Sequence, residues 1–176
     1  MTTTESTAPE PQPDTKAIQS KLTAEQVLLR LLQAIRGSDS IHDFTPDYLS
    51  KNFGIDFITY ERGHAVGEQL TKDWWYGLDK DDKAPLGALF TLSFRPNINN
   101  SYPDMTEICQ VDFEKFASEL EVMGFSRSKN YVEHGRYVGD SFSKPKMQIE
   151  IIARSEKMKL PPGEIGHGCI ESIFVR

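Results

Sequence analysis

The residues best suited to nucleophilic or metal chemistry are four histidines and two cysteines. His42, His64, His134 and His167 stand apart, without the i, i+4 interval that sets two imidazoles on one helix face toward a zinc ion. Their spacing proposes no metal site. The nearest approach to a nucleophile signature is Gly166-His167-Gly168-Cys169. In an extended chain, His167 is expected to point to the face opposite Cys169 and to leave the thiol unactivated. The patterns G-x-G-x-x-G, G-x-x-x-x-G-K and G-x-S-x-G are absent from the sequence. The run Asp79, Lys80, Asp81, Asp82, Lys83 opens like a calcium loop. Its fifth position is Lys83 and its twelfth Phe90, which removes two ligands, so a solvated hairpin tip is expected. Asn99-Asn100-Ser101 matches a glycosylation sequon at chance frequency. The expectation is a non-enzymatic protein with no cofactor and no metal.

Cys109 and Cys169 fall in strand-like segments, EICQV and GCIESIFV. An even pair at long separation, without C-x-x-C, suits one structural disulfide. Closing such a loop stabilises a domain by roughly 4 kcal/mol on the chain-entropy account. The alternative is two reduced thiols packed as small hydrophobes.

Two clusters suit binding. Trp74, Trp75 and Tyr76 sit beside Asp79, Asp81 and Asp82. On a strand, Trp74 and Tyr76 share one side and Trp75 takes the other. With one side exposed, an aromatic next to acidic groups makes an interface anchor; with both covered, the cluster is core. The second candidate is 130–140, with Tyr131, Glu133, His134, Arg136, Tyr137 and Asp140, read either as a binding edge or as a solvated hairpin with cross-strand aromatic pairs.

The elements that carry these residues follow from periodicity. Thr23 with Gln26 begins a helix bearing Val27, Leu28, Leu31, Leu32 and Ile35 and ending at Gly37. Thr45-Pro46 opens a short helix stopped by Gly54. Strands are expected at 55–60, within 65–78 after a turn at Gly63-His64, and at 86–94, where Leu86, Ala88, Phe90, Leu92 and Phe94 share a face. After a Pro and Asn rich loop, 96–103, Asp112 caps a helix of Phe113, Phe116, Ala117, Leu120 and Met123 ended by Gly124. Strands at 125–128, 131–134, 136–138 and 147–153, a Pro161-Pro162 loop and a last strand at 169–175 complete the chain. The fold class is α+β, antiparallel sheet with two to three helices in one domain, 21–176. Segments 23–97 and 107–176 read as two degenerate helix-plus-meander units.

Residues 1–20, rich in Pro, Thr, Ser and Glu, bury too little apolar surface to offset ordering entropy and are expected to form a mobile tether or a frayed terminus. The net charge of -6 and the scattered Lys and Arg argue against nucleic acid and favour a basic partner. No run approaches the roughly 18 apolar residues of a membrane helix.

In the MTTTESTAPEPQPDTK spacer, the TAEQVLLRLLQAI opening helix, the repeated helix-Gly-meander plan and the Cys109/Cys169 pair, the chain resembles periplasmic lipoprotein immunity proteins. These protect bacteria from type VI and type IV secretion-system effectors by plugging a toxin's active site. The likeness is architectural and transfers no site residue by residue. It implies a cognate protein toxin as partner, a periplasmic location, and a lipid anchor in the native form, with Met1 standing in place of a signal peptide and the lipidated cysteine. The alternatives are a small-molecule or lipid-binding envelope protein and a cytosolic secretion chaperone or accessory protein; a homodimer is also open.

Overall fold

A computed structural model of the protein describes residues 20–97, 103–157, 159 and 166–176. The tether before Ser20, the sequon at Asn99 and the Pro161-Pro162 loop lie outside the described residues. Helix α1 (Ala24–Arg36) starts where the Thr23 hydroxyl accepts from Gln26 N at 3.1 Å and the Gln26 side chain accepts from Thr23 N at 3.0 Å. Its apolar stripe of Val27, Leu28, Leu31, Leu32 and Ile35 is buried. Helix α2 (Pro46–Phe53) is capped by Thr45 and ends at Gly54, whose φ of 64° suits a residue without Cβ. Helix α3 (Phe113–Val122) is capped by Asp112, which accepts from Lys115 N at 2.7 Å. Among the described residues, no helix is long and apolar enough to cross a membrane.

Strands β1 (Ile58–Tyr60), β2 (Gly63–Gln69), β3 (Trp74–Asp81) and β4 (Leu89–Pro96) form one meander. Strands β5 (Ser126–Val132), β6 (Arg136–Lys144), β7 (Met147–Ser155) and β8 (Gly168–Val175) form another. The last strands of the two meanders pair, Phe90 with Val175 and Leu92 with Ile173, giving one antiparallel sheet in the order β1-β2-β3-β4-β8-β7-β6-β5. The fold is α+β. The helices cover one sheet face, on which Trp74, Tyr76, Leu78, Phe90, Leu92, Phe94, Ile149, Ile151, Ile173 and Val175 are buried. Phe44 and Phe53 seat on Phe90 with ring centroids 5.3 and 6.2 Å away, tying α2 and the segment before it to the centre of the sheet.

Several boundaries differ from the sequence expectations. Gly63 and His64 begin β2 instead of forming a turn, because Gly63 lies so close to β3 that a Cβ there would stand 1.8 Å from the Lys80 carbonyl oxygen. Asp79, Lys80 and Asp81 belong to β3 and not to a hairpin tip. The Lys80 side chain is buried on the helix-covered face, with its ammonium paired to Asp82, a placement that charge patterning hides. Leu86 is exposed and β4 starts at Leu89. Strand β5 runs unbroken from Ser126 to Val132, and a short helical turn, Glu133–Gly135 with His134 at φ 64°, links it to β6. Cys109 follows a short 3-10 turn, Thr106–Ile108, and not a strand.

Candidate functional site

The sheet face turned away from the helices carries a shallow groove of about 630 Å³. Its floor is a transverse row of small residues in register, Gly67 opposite Gly77 and Gly77 opposite Ser93, a row that Ser172 continues on β8 beyond the groove. One neighbouring row raises Trp75 opposite Arg95; the other raises Asp79 opposite Thr91. Glycine weakens a strand interior and in such a place commonly marks close approach by another molecule. Nothing in the backbone requires glycine at position 77. A Cβ there would meet the Ser93 hydroxyl at an ordinary 3.5 Å, and the residue has no positive φ.

The polar groups of the groove are arranged by neighbours. Tyr60 donates to Asp79 at 2.8 Å, and burial together with this hydrogen bond pushes its hydroxyl up to about 12. Arg95 donates through Nε to Ser93 at 3.3 Å. Asp81 accepts from Arg62 at 2.7 and 3.0 Å, and that guanidinium holds its carboxyl below the usual carboxylate range.

The sequence-predicted residues separate into four places. Trp75, 42% exposed, stands at the groove with Asp79. Trp74 and Tyr76 face the helices and are buried: the Trp74 indole donates to the Asp104 carbonyl at 3.1 Å, and Tyr76 donates to Glu68 at 2.9 Å. They are core and offer no contact surface, as strand alternation requires once the helices cover their side. Asp81 and Asp82 are held by Arg62 and Lys80 near the end of β3. At the other end of the sheet, Tyr131 and Tyr137 pack edge to face at 5.9 Å, while Glu133 and Arg136 line a small hollow at the β5-β6 turn. The groove floor and Arg95 escaped sequence reasoning. The signal for them is small residues at the outward positions of strands whose inward positions are bulky.

A second polar cluster lies near the N-terminus of α3. Arg127 bonds Glu114 at 2.8 and 2.9 Å and Asp140 at 2.5 Å, with its guanidinium over the Phe113 and Phe142 rings. Beside it, Cys109 and Cys169 form a disulfide with a Cα separation of 5.4 Å. His167 Nδ1 lies 3.9 Å from Cys109 Sγ and 3.3 Å from Glu156 Oε2, and Nε2 lies 2.9 Å from Asp112 Oδ2. The expectation that His167 faces away from the cysteine is therefore corrected: residues two apart on an extended chain share a face. The Asp112 hydrogen bond, opposed by burial and aided by Glu156, raises the imidazole above its ordinary 6.5.

Comparison of the chain with protein-family models, with curated proteins and with solved structures finds no match in any of the three.

Proposed function

We propose that the chain is a non-enzymatic binding protein that holds a protein partner on the open face of its sheet, with Trp75 as the anchor. The observation that carries this reading is the row Gly67, Gly77 and Ser93, sunk between Trp75/Arg95 and Asp79/Thr91. At Gly77 the backbone has room for a larger side chain, and the small residues there leave a trench for a protruding loop. An exposed indole beside that trench is the kind of residue that dominates interface energetics. Asp79 and the net charge of -6 favour a loop with apolar and basic side chains.

The narrower reading is an immunity protein that neutralises a cognate antibacterial effector in the periplasm. The Cys109–Cys169 disulfide is compatible with that oxidising compartment. Because immunity genes lie beside their toxins, the test is to direct the product of the neighbouring gene to the periplasm of a susceptible bacterium, with and without this chain. Restored growth, together with a one-to-one complex of the purified proteins, is the expected result. Continued killing and two separate elution peaks would remove the immunity reading.

A second reading is supported by the size of the groove, since 630 Å³ lies within the range of small-molecule sites. Native mass spectrometry separates the two. A carrier retains a copurifying ligand that is lost on Gly77→Val, whereas an immunity protein flies at its bare mass.

A further inference from the structure

Four side chains from separate parts of the chain meet at the Cys109–Cys169 disulfide. Cys169 is on β8, His167 lies just before that strand, Glu156 just after β7, and Cys109 follows the turn Thr106–Ile108. Backbone hydrogen bonds fix them: Glu156 N donates to the His167 carbonyl at 2.7 Å, Met105 N donates to the Glu156 carbonyl at 2.7 Å, and Asp112 bridges Cys169. The two sulfurs and a ring nitrogen of His167 all lie within 4.8 Å of one another.

The geometry points to a zinc site formed by this cluster when the disulfide is reduced, with Cys109 Sγ, Cys169 Sγ and His167 Nδ1 as the three protein ligands and solvent in the fourth position. Around tetrahedral zinc, ligand lengths of about 2.0 Å to nitrogen and 2.3 Å to sulfur place an S···N pair about 3.5 Å apart. The present separation of His167 Nδ1 from Cys109 Sγ is 3.9 Å. The released sulfurs need only part to about 3.8 Å, a side-chain rotation. Asp112 completes the arrangement. It accepts from Nε2–H, which leaves the Nδ1 lone pair free for the metal, the support that carboxylates commonly give to ligating histidines.

The chemistry balances with a dithiol as reductant. Its thiolate attacks the Cys109–Cys169 bond, and the resulting mixed disulfide is resolved by its second thiol. Two electrons and two protons pass to the cysteines, and the donor leaves as a disulfide. Zinc then displaces both thiol protons, and the Nδ1 proton of the imidazolium, to solvent. The pair thus has two closed states, a covalent one in an oxidising compartment and a metal-held one in a reducing compartment. This inference is independent of the partner-binding reading, because the cluster lies outside the groove.

The test uses the full chain, reduced with a phosphine, freed of metal and titrated anaerobically with Co²⁺, then Zn²⁺. The expected result is one equivalent of Co²⁺ bound, with thiolate-to-cobalt charge-transfer absorption and tetrahedral d–d bands, all displaced by Zn²⁺. The oxidised chain should show neither feature, and His167→Ala should weaken the reduced chain's affinity at least tenfold. Absence of the spectrum, or a spectrum that His167→Ala leaves unchanged, would overturn the site. So would circular dichroism showing that the reduced chain is unfolded and that Zn²⁺ does not restore it.

Discussion

Arg127 donates through Nε to Asp140 at 2.5 Å, and Asp140 is wholly buried while Arg127 keeps about a fifth of its side chain in solvent. The arginine connects an interior carboxylate to the surface Glu114 of α3 and thereby ties β5 and β6 to that helix. Tyr137 donates to the other Asp140 oxygen at 2.8 Å, so both carboxylate oxygens are bonded.

Removing one partner leaves a buried charge without compensation. Arg127→Ala is expected to lower the unfolding free energy by about 3–5 kcal/mol, a large share of what a domain of this size possesses. Urea denaturation followed by tryptophan fluorescence measures it. A loss below about 1 kcal/mol would mean that Asp140 is neutral or hydrated in the native state.

Two glycines in neighbouring strands should respond in opposite ways. Gly63→Ala drives a Cβ to 1.8 Å from the Lys80 carbonyl oxygen, and β2 must move away from β3. Gly77→Val meets ordinary contact at 3.5 Å and gains strand propensity. The expected thermal shifts are a fall of several degrees for the first and none or a small rise for the second. A comparable fall for both would show that position 77 is glycine for folding and not for binding.

The disulfide closes a loop between residues separated by 60 positions. Its loss is expected to cost about 4 kcal/mol, which corresponds to a Tm decrease of roughly 10 °C for a domain of this size. Calorimetry of the Cys109→Ser/Cys169→Ser chain against the oxidised protein reads the difference. Equal melting temperatures would place the constraint in a part of the chain that opens before the core.

His167 sets a pH dependence of definite sign. Its native pKa is raised by the Asp112 hydrogen bond, so its contribution is fully present below the unfolded value near 6.5 and is lost as pH rises through the native value. The carboxyl of Asp112 is lowered, chiefly by the Lys115 backbone N–H and then by His167. Its contribution is present above the ordinary carboxylate range and is lost as pH falls through the depressed value. Stability should therefore decline on both sides of mildly acidic pH. His167→Gln should flatten the alkaline limb that sets in as pH rises above the ordinary imidazole value of 6.5. A limb that persists in that variant would assign it to another group.

Helix positions were the most legible part of the sequence, because caps such as Thr23 with Gln26 and Thr45 with Pro46 are local signals with a local mechanism. The alternation of Trp74, Trp75 and Tyr76 was legible for the same reason, but which side the helices cover was not, since burial is decided by tertiary packing. That choice sends Trp74 and Tyr76 into the core and leaves Trp75 at the groove. The small-residue row was hidden because register across four strands, β2 to β4 and β8, is set by pairings far apart in sequence. Glu156 beside His167 was hidden likewise, whereas the shared face of His167 and Cys169 follows from strand geometry.

The most direct measurement is titration calorimetry of the purified chain against the protein encoded by the neighbouring gene, in three forms: the natural chain, Trp75→Ala and Gly77→Val. Docking on the open face predicts tight one-to-one binding by the first, at least tenfold weaker binding by the second, roughly 1.4 kcal/mol or more, and loss of binding by a folded third. Equal affinity for all three would contradict docking in the groove. No binding by the natural chain would contradict the identity of the partner.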